Sequence, residues 1–176
     1  MVNRGAVQTP EPQRYALRCL NGNEYRVRLN GTDTDGFVVP ATEKKRDKIY
    51  VVKEGNKIHY VGITRRAMAA RMRDGFKAAG IQGYHGYKFK DKTEATLELF
   101  VWSLPGAASE DSREYLETIE AEFAYLVRKT TDQWPISQNE IHFHPSEKSH
   151  RQFATKMMEE MLEEPDGRNH GKTPSR

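Results

Sequence analysis

Two tyrosines, Tyr50 and Tyr60, stand ten residues apart on either side of a polar Glu54-Gly55-Asn56 turn, and Gly62 follows the second. Arg71 comes nine residues after that glycine, and two glutamates, Glu120 and Glu122, lie further along in a stretch of helical periodicity. These residue types offer two phenol hydroxyls able to hold or pass a proton, a planar cation suited to oxyanions, and hard carboxylate oxygens suited to a divalent cation. A second set, His142 and His144 beside Glu140 with His150 nearby, has metal-ligand chemistry but no clear quartet, and reads as surface.

The elements that must position these groups follow from turn chemistry and apolar spacing. YALRCL and EYRVRL are β-prone runs around Asn21-Gly22-Asn23, which predicts a hairpin over residues 15–29. Alternation puts Arg14 with Arg18 on one face and Arg26 with Arg28 on one face, expected to be solvated. IYVV and KIHYVGI predict a second hairpin carrying both tyrosines. Thr64 is expected to cap a helix running to about Ala79, because Met68, Met72 and Phe76 recur every four residues. Arg71 falls at the edge of that stripe, with Arg66, Arg73 and Lys77 on the opposite side.

Residues 80–93, rich in Gly, Tyr and Lys, read as a loop, and ATLELFVWSL reads as a buried strand. Ser109, ahead of two acids, predicts a helix start. Its core stripe is Leu116, Ile119, Phe123, Leu126 and Val127, with Glu120 and Glu122 flanking the stripe. EIHFH is expected as a short alternating strand, and KSHRQFATKMMEEML as a last amphipathic helix with Met157, Met158 and Met161 in the core.

Composition sets the outer limits. The 176 residues are 36% hydrophobic and 30% charged, which suits one compact domain. The 28 Lys and Arg against 25 Asp and Glu leave a net charge of +3, too small to name a nucleic-acid partner, although the basic residues concentrate in the first half. One cysteine, Cys19, excludes an intramolecular disulfide and fits a reducing cytoplasm. No apolar run approaches the roughly 20 residues of a membrane span, so a soluble cytoplasmic protein is expected. Residues 1–13 and 164–176 have little to bury and are expected to be disordered.

The order of these motifs resembles the GIY-YIG nuclease domain over roughly residues 47–140. Lys48-Ile49-Tyr50 stands where the family usually has Gly-Ile-Tyr, Tyr60-Val61-Gly62 matches the second motif, and Arg71 matches the helix arginine. Glu122 is the closer match to the family glutamate because Tyr125-Leu126-Val127 follow it. Trp134-Pro135 and Asn139 resemble the closing proline and asparagine. The family's histidine one turn beyond the arginine is replaced by Gly75, so either Tyr84 or His85 in the loop is expected to take its place or the site works without it.

The resemblance implies an α+β fold: a three-stranded antiparallel core flanked by helices over 47–144, an N-terminal hairpin extension over 14–46, and a C-terminal helix over 145–163. It implies a divalent-metal-dependent DNA endonuclease with Mg²⁺ or Mn²⁺ held by Glu122. Arg71 would stabilise the phosphoryl charge, and Tyr50 and Tyr60, their pKa lowered by metal or arginine, would relay a proton, with His85 assisting. Gly62, Arg65, Arg66, Tyr84, Lys88 and Asn139 would contact DNA, and cutting both strands would call for a homodimer or two nicks. The competing expectations are a catalytically inactive nucleic-acid-binding module of the same fold, and a protein-interaction domain.

Overall fold

The computed structural model describes residues 9–21, 23–80, 86–138 and 140–162. Five strands and three helices follow one another: β1 (Gln13–Leu20), β2 (Glu24–Leu29), β3 (Lys48–Glu54), β4 (Lys57–Thr64), α1 (Met68–Lys77), β5 (Thr96–Ser103), α2 (Glu110–Thr131) and α3 (Lys148–Leu162). A short 3-10 turn, Lys88–Asp91, precedes β5.

The α+β expectation holds. All strands join one antiparallel sheet in the order β2-β1-β5-β3-β4, so the N-terminal hairpin is built into the sheet through β1 pairing with β5 from Gln13↔Val101 to Arg18↔Thr96. The hairpin register of β3 and β4 sets Tyr50 opposite Gly62 and Val52 opposite Tyr60. Because side chains alternate along a strand, Tyr50 and Val51 face opposite sides.

Each side of the sheet has its own core. On one, Ile49, Val51, Phe100 and Trp102 meet Leu116, Ile119, Phe123 and Val127 of α2 and Phe153, Met157 and Met161 of α3. On the other, Tyr15, Leu17, Tyr50, Val52 and Leu99 meet Met68, Met72 and Phe76 of α1, together with Tyr87 and Phe89. The predicted apolar stripes are therefore the buried ones except at Leu126 of α2 and Met158 of α3, which are only half-buried, and each large apolar side chain fully buried contributes about 1.5–3 kcal/mol. The sheet is sandwiched, with α1 alone on the side of the tyrosines.

The start of α2 is as expected: Ser109 Oγ accepts from the Ser112 amide, and Ser112 Oγ accepts in turn from the Ser109 amide. The start of α1 is not. Thr64 is the last residue of β4, held extended by pairing with Lys48, and its Oγ1 accepts from the Arg66 amide, while the helix begins at Met68 and ends at Lys77. The Met68 amide instead donates to the Ala41 carbonyl at 3.0 Å.

The EIHFH strand is also corrected, since residues 140–147 form no ladder. The outer edge of β4 is already occupied by the preceding segment: the Ile136 and Ser137 amides donate to the Ile58 and His59 carbonyls, and Gln138 Oε1 accepts from the Val61 amide. Arg18, Arg26 and Arg28 are exposed as expected, whereas Arg14 is half-buried and donates to the Glu160 carbonyl at 2.8 Å. Among the described residues, no helix is long and apolar enough to cross a membrane. The expectation of disorder falls on residues 1–8 and 164–176, outside the described residues; Gln13 belongs to β1.

Candidate functional site

Arg71 projects from α1 onto the tyrosine hairpin. Its Nε donates to the Tyr50 hydroxyl at 2.9 Å and a terminal nitrogen reaches the Tyr60 hydroxyl at 3.4 Å. The two phenol rings lie 5.9 Å apart between centroids. Gly62 allows this: a Cβ there would sit 2.5 Å from the Tyr60 ring and 2.9 Å from the Tyr50 hydroxyl. The close phenol pair is thus available only to a residue without a side chain. Tyr50, Tyr60, Gly62 and Arg71, separated by up to 21 residues, come together as expected.

Sequence reasoning missed Tyr87. Its hydroxyl is 2.8 Å from that of Tyr50, and the Arg71 guanidinium lies over its ring, 5.5 Å from the centroid. Tyr87 fits because position 75 is glycine: a Cβ on Gly75 would fall 2.2 Å from the Tyr87 ring. Gly86, at φ +70°, brings its backbone against Gly75, and the Tyr87 amide donates to the Gly75 carbonyl at 3.1 Å. The space beside Gly75 is filled from the loop, by Tyr87. Tyr84 and His85, the residues expected to serve there, lie outside the described residues, as does Asn139.

The electrostatics bear on the arginine's part in one expectation. Tyr50 has no exposed surface, and burial, reinforced by Tyr87, pushes its pKa well above the usual phenol value despite the opposing charge of Arg71. The resting phenol is therefore a hydrogen-bonding group that holds Arg71, and it is not acidified.

A cleft of about 250 Å³ opens beside Arg71 where β4 gives way to α1 and where α2 begins. Arg65, Arg66 and Arg113 line it with Arg71, together with Asp47, Thr64, Ile63 and Leu116. Three of these arginines are held by acids. Arg65 binds Asp47 at 3.1 Å and Glu110 at 2.8 Å and also the Ser109 carbonyl, Arg66 binds Asp74, and Arg113 binds Glu117 at 2.8 Å. The Arg66–Asp74 pair is exposed and worth under about 1 kcal/mol, so an incoming anion can take that guanidinium over at small cost, whereas the buried Asp47 and Glu117 keep Arg65 and Arg113 more firmly. Lys88 is exposed on the 3-10 turn and does not line this cleft.

The two glutamates separate cleanly. Glu122 is half-buried and its charge acts on His150, on the α3 side. Glu120 is 8% exposed and its charge environment includes Arg71, so it is the carboxyl that shares the arginine's surroundings. Burial pushes Glu120 up to about 8 from 4.5; a hydrogen bond from Gln138 opposes this, the Glu117 carboxylate adds to it, and His142 and Arg71 oppose it. Gln138, which bridges Glu120 and the Val61 amide, was likewise not singled out from sequence.

The histidines do not form a centre of their own. His144 Nε2 lies 2.9 Å from Glu117 and His142 Nδ1 lies 3.6 Å from it, while the His150 ring packs against Tyr115 and its Nδ1 accepts from the Glu147 amide. Among the described residues, no group of three or more His, Cys, Asp or Glu is arranged to hold a metal ion. A cation at this site would rest on Glu120 with few other protein ligands. Glu120 is a buried carboxyl whose raised pKa comes from that burial, so a cation bound there would have to displace a proton.

Comparison with known proteins gives no match, whether to a family model, a curated protein or a solved structure.

Proposed function

We propose that this protein is a divalent-metal-dependent endonuclease that hydrolyses phosphodiester bonds in DNA. The observation that carries the reading is the convergence of Arg71, Tyr50, Tyr60 and Tyr87 at the rim of an arginine-lined cleft, with Glu120 within the reach of Arg71's charge. A cleft of that composition suits an anion such as a phosphate.

In this reading Arg71 takes the scissile phosphate, its fork held from below by the Tyr50 hydroxyl and the Tyr87 ring so that it meets the growing transition-state charge without reorganising. Tyr60, half-buried where Tyr50 and Tyr87 are fully buried, is the phenol of the three best placed to meet a water and hold its proton. Arg65, Arg66 and Arg113 hold the neighbouring backbone phosphates. Glu120, in place of Glu122, anchors Mg²⁺ or Mn²⁺, which when bound neutralises phosphoryl charge and activates water.

A second reading has one observation in its favour. Tyr50 and Tyr87 are both almost fully buried, as in a fold that retains the constellation for packing and binds nucleic acid without cutting it. One experiment separates the two: nicking of supercoiled plasmid by wild type and Arg71→Ala, with Mg²⁺ and with EDTA. Metal-dependent nicking lost in the variant supports the enzyme. Salt-sensitive DNA binding with no nicking by wild type supports the binding module.

A further inference from the structure

The first residue of β3, Lys48, is a lysine with 0% exposure. Its Nζ donates to three backbone carbonyls, Glu43 and Arg46 at 2.8 Å each and Arg66 at 3.0 Å. An ammonium has three hydrogens, so the three carbonyls saturate it. It forms no ion pair with a carboxylate among the described residues, and its charge is carried by peptide dipoles, in the manner of a coordinated metal cation.

The carbonyls come from two segments. Glu43 and Arg46 belong to the turn ahead of β3, and Arg66 to the corner between β4 and α1. The same segments meet again where the Lys45 amide donates to the Arg65 carbonyl at 2.8 Å and where Arg65 Nε binds Asp47. Asp47, Arg65 and Arg66 are wall residues of the arginine cleft. The lysine therefore sits behind the wall and ties both of its parts to the end of the sheet.

We propose that Lys48 is a positioning residue of this cleft, its ammonium clasping the turn at 43–46 to the corner at Arg65–Arg66 and fixing where those two guanidinium groups begin. The clasp itself rests on geometry alone; its consequence for DNA rests on the nuclease reading. Burial also brings the Lys48 pKa down from 10.5 to about 8, with Glu43 and Asp47 opposing and Arg46 assisting. The charged groups facing it are those three from the turn and Arg65 and Arg66 from the corner. Loss of the proton leaves two hydrogens for three buried carbonyls, so the clasp is closed at neutral pH and loosens as pH rises through about 8.

The test uses the full chain in a Glu120→Gln background, because Glu120 titrates in the same range and its removal also prevents cutting. Amide hydrogen exchange over 43–47 and 64–68 is compared for Lys48, Lys48→Met and Lys48→Ala forms at matched pH. The lysine form should be the more protected at pH 7, with the difference closing by pH 9.5. Propylammonium should restore protection to Lys48→Ala at pH 7, and tetramethylammonium, which has no N–H, should not. Binding of a short DNA duplex without metal should be at least about tenfold weaker in Lys48→Met at pH 7, since that substitution orphans all three carbonyls.

Equal protection in Lys48 and Lys48→Met forms overturns the clasp. Lost protection with unchanged duplex affinity overturns its positioning role. Absence of duplex binding in every form removes the nuclease reading, while the exchange and amine-rescue data still decide the clasp. Should neither substitution fold, protection of 43–47 in the lysine form, measured against 116–127 of α2, must fall between pH 7 and 9.5; a constant ratio overturns the proposal.

Discussion

Replacing Glu120 with glutamine separates stability from chemistry at one position. The carboxyl is nearly buried and its pKa is about 8 in the folded chain, against 4.5 when unperturbed. A carboxyl whose pKa is raised by folding contributes most below pH 4.5, where both states are protonated, and that contribution is lost as pH rises toward 8. At pH 7 the unfolded chain has ionised and the folded one mostly has not. The unfolded state therefore gains over about 2.5 pH units at about 1.4 kcal/mol each, or about 3 kcal/mol.

Glutamine has nearly the same shape and never ionises, so Glu120→Gln should match wild type near pH 4 and exceed it by about 3 kcal/mol at pH 7. For a chain of this length that is a rise in melting temperature of about 6–12 °C. Thermal unfolding of both proteins from pH 4 to 8.5, without divalent metal, measures it. Parallel curves across that range would refute the argument. The same variant should lose metal-dependent nicking, since a neutral amide cannot anchor the cation. Added Mg²⁺ should stabilise wild type more at pH 8.5 than at pH 6, because binding must displace a proton. A stabilised but inactive variant is the pattern expected of a carboxylate kept for function at a cost to the fold.

The other predictions concern the same constellation. Glu122→Gln should nick at close to the wild-type rate, because that side chain faces α3; a loss there with none in Glu120→Gln would return the metal to Glu122. Arg71→Ala should lower nicking by at least about 10²-fold with little change in melting temperature, since Tyr50 keeps its bond to Tyr87. Arg71→Lys should be nearly as poor, because a point charge cannot bind Tyr50, Tyr60 and a phosphate together. Tyr87→Phe should reduce turnover through a loosened Arg71 while leaving duplex affinity within about twofold; a wild-type rate would confine Tyr87 to packing. Gly75→Ala, with its added methyl 2.2 Å from the Tyr87 ring, should cost about 1–3 kcal/mol in urea unfolding and lower turnover together.

The hairpins, the buried β5 and the three amphipathic helices were legible because each is written in short-range terms, as turn residues, period-two alternation or a four-residue stripe. The ends of elements were less so. Thr64 reads as a cap from its type, yet its ladder partner Lys48, on the other strand of the hairpin, holds it in β4, and pairing outweighs capping preference. EIHFH alternates like a strand, but a strand needs a free edge, and residues 136–138 reach the edge of β4 first.

The two choices that matter for the site could not be made from sequence, for one common reason. Glu120 and Glu122 both flank the α2 stripe, and the helix wheel is silent on which flank turns to β4 and Arg71 and which to α3; that is decided by where α3 packs, thirty residues later. Gly75 reads as a missing side chain on α1, because nothing local says that a ring from a separate loop fills the space. A signal was nevertheless present. A glycine inside a buried helical stripe costs about 1 kcal/mol relative to alanine and asks for a close neighbour, and the Gly-Tyr pair at 86–87 supplies a flexible backbone followed by a ring of the right size. Reading each glycine as space reserved for another residue would have led from Gly62 to the two phenols and from Gly75 to Tyr87, and so to the three tyrosines described beside Arg71.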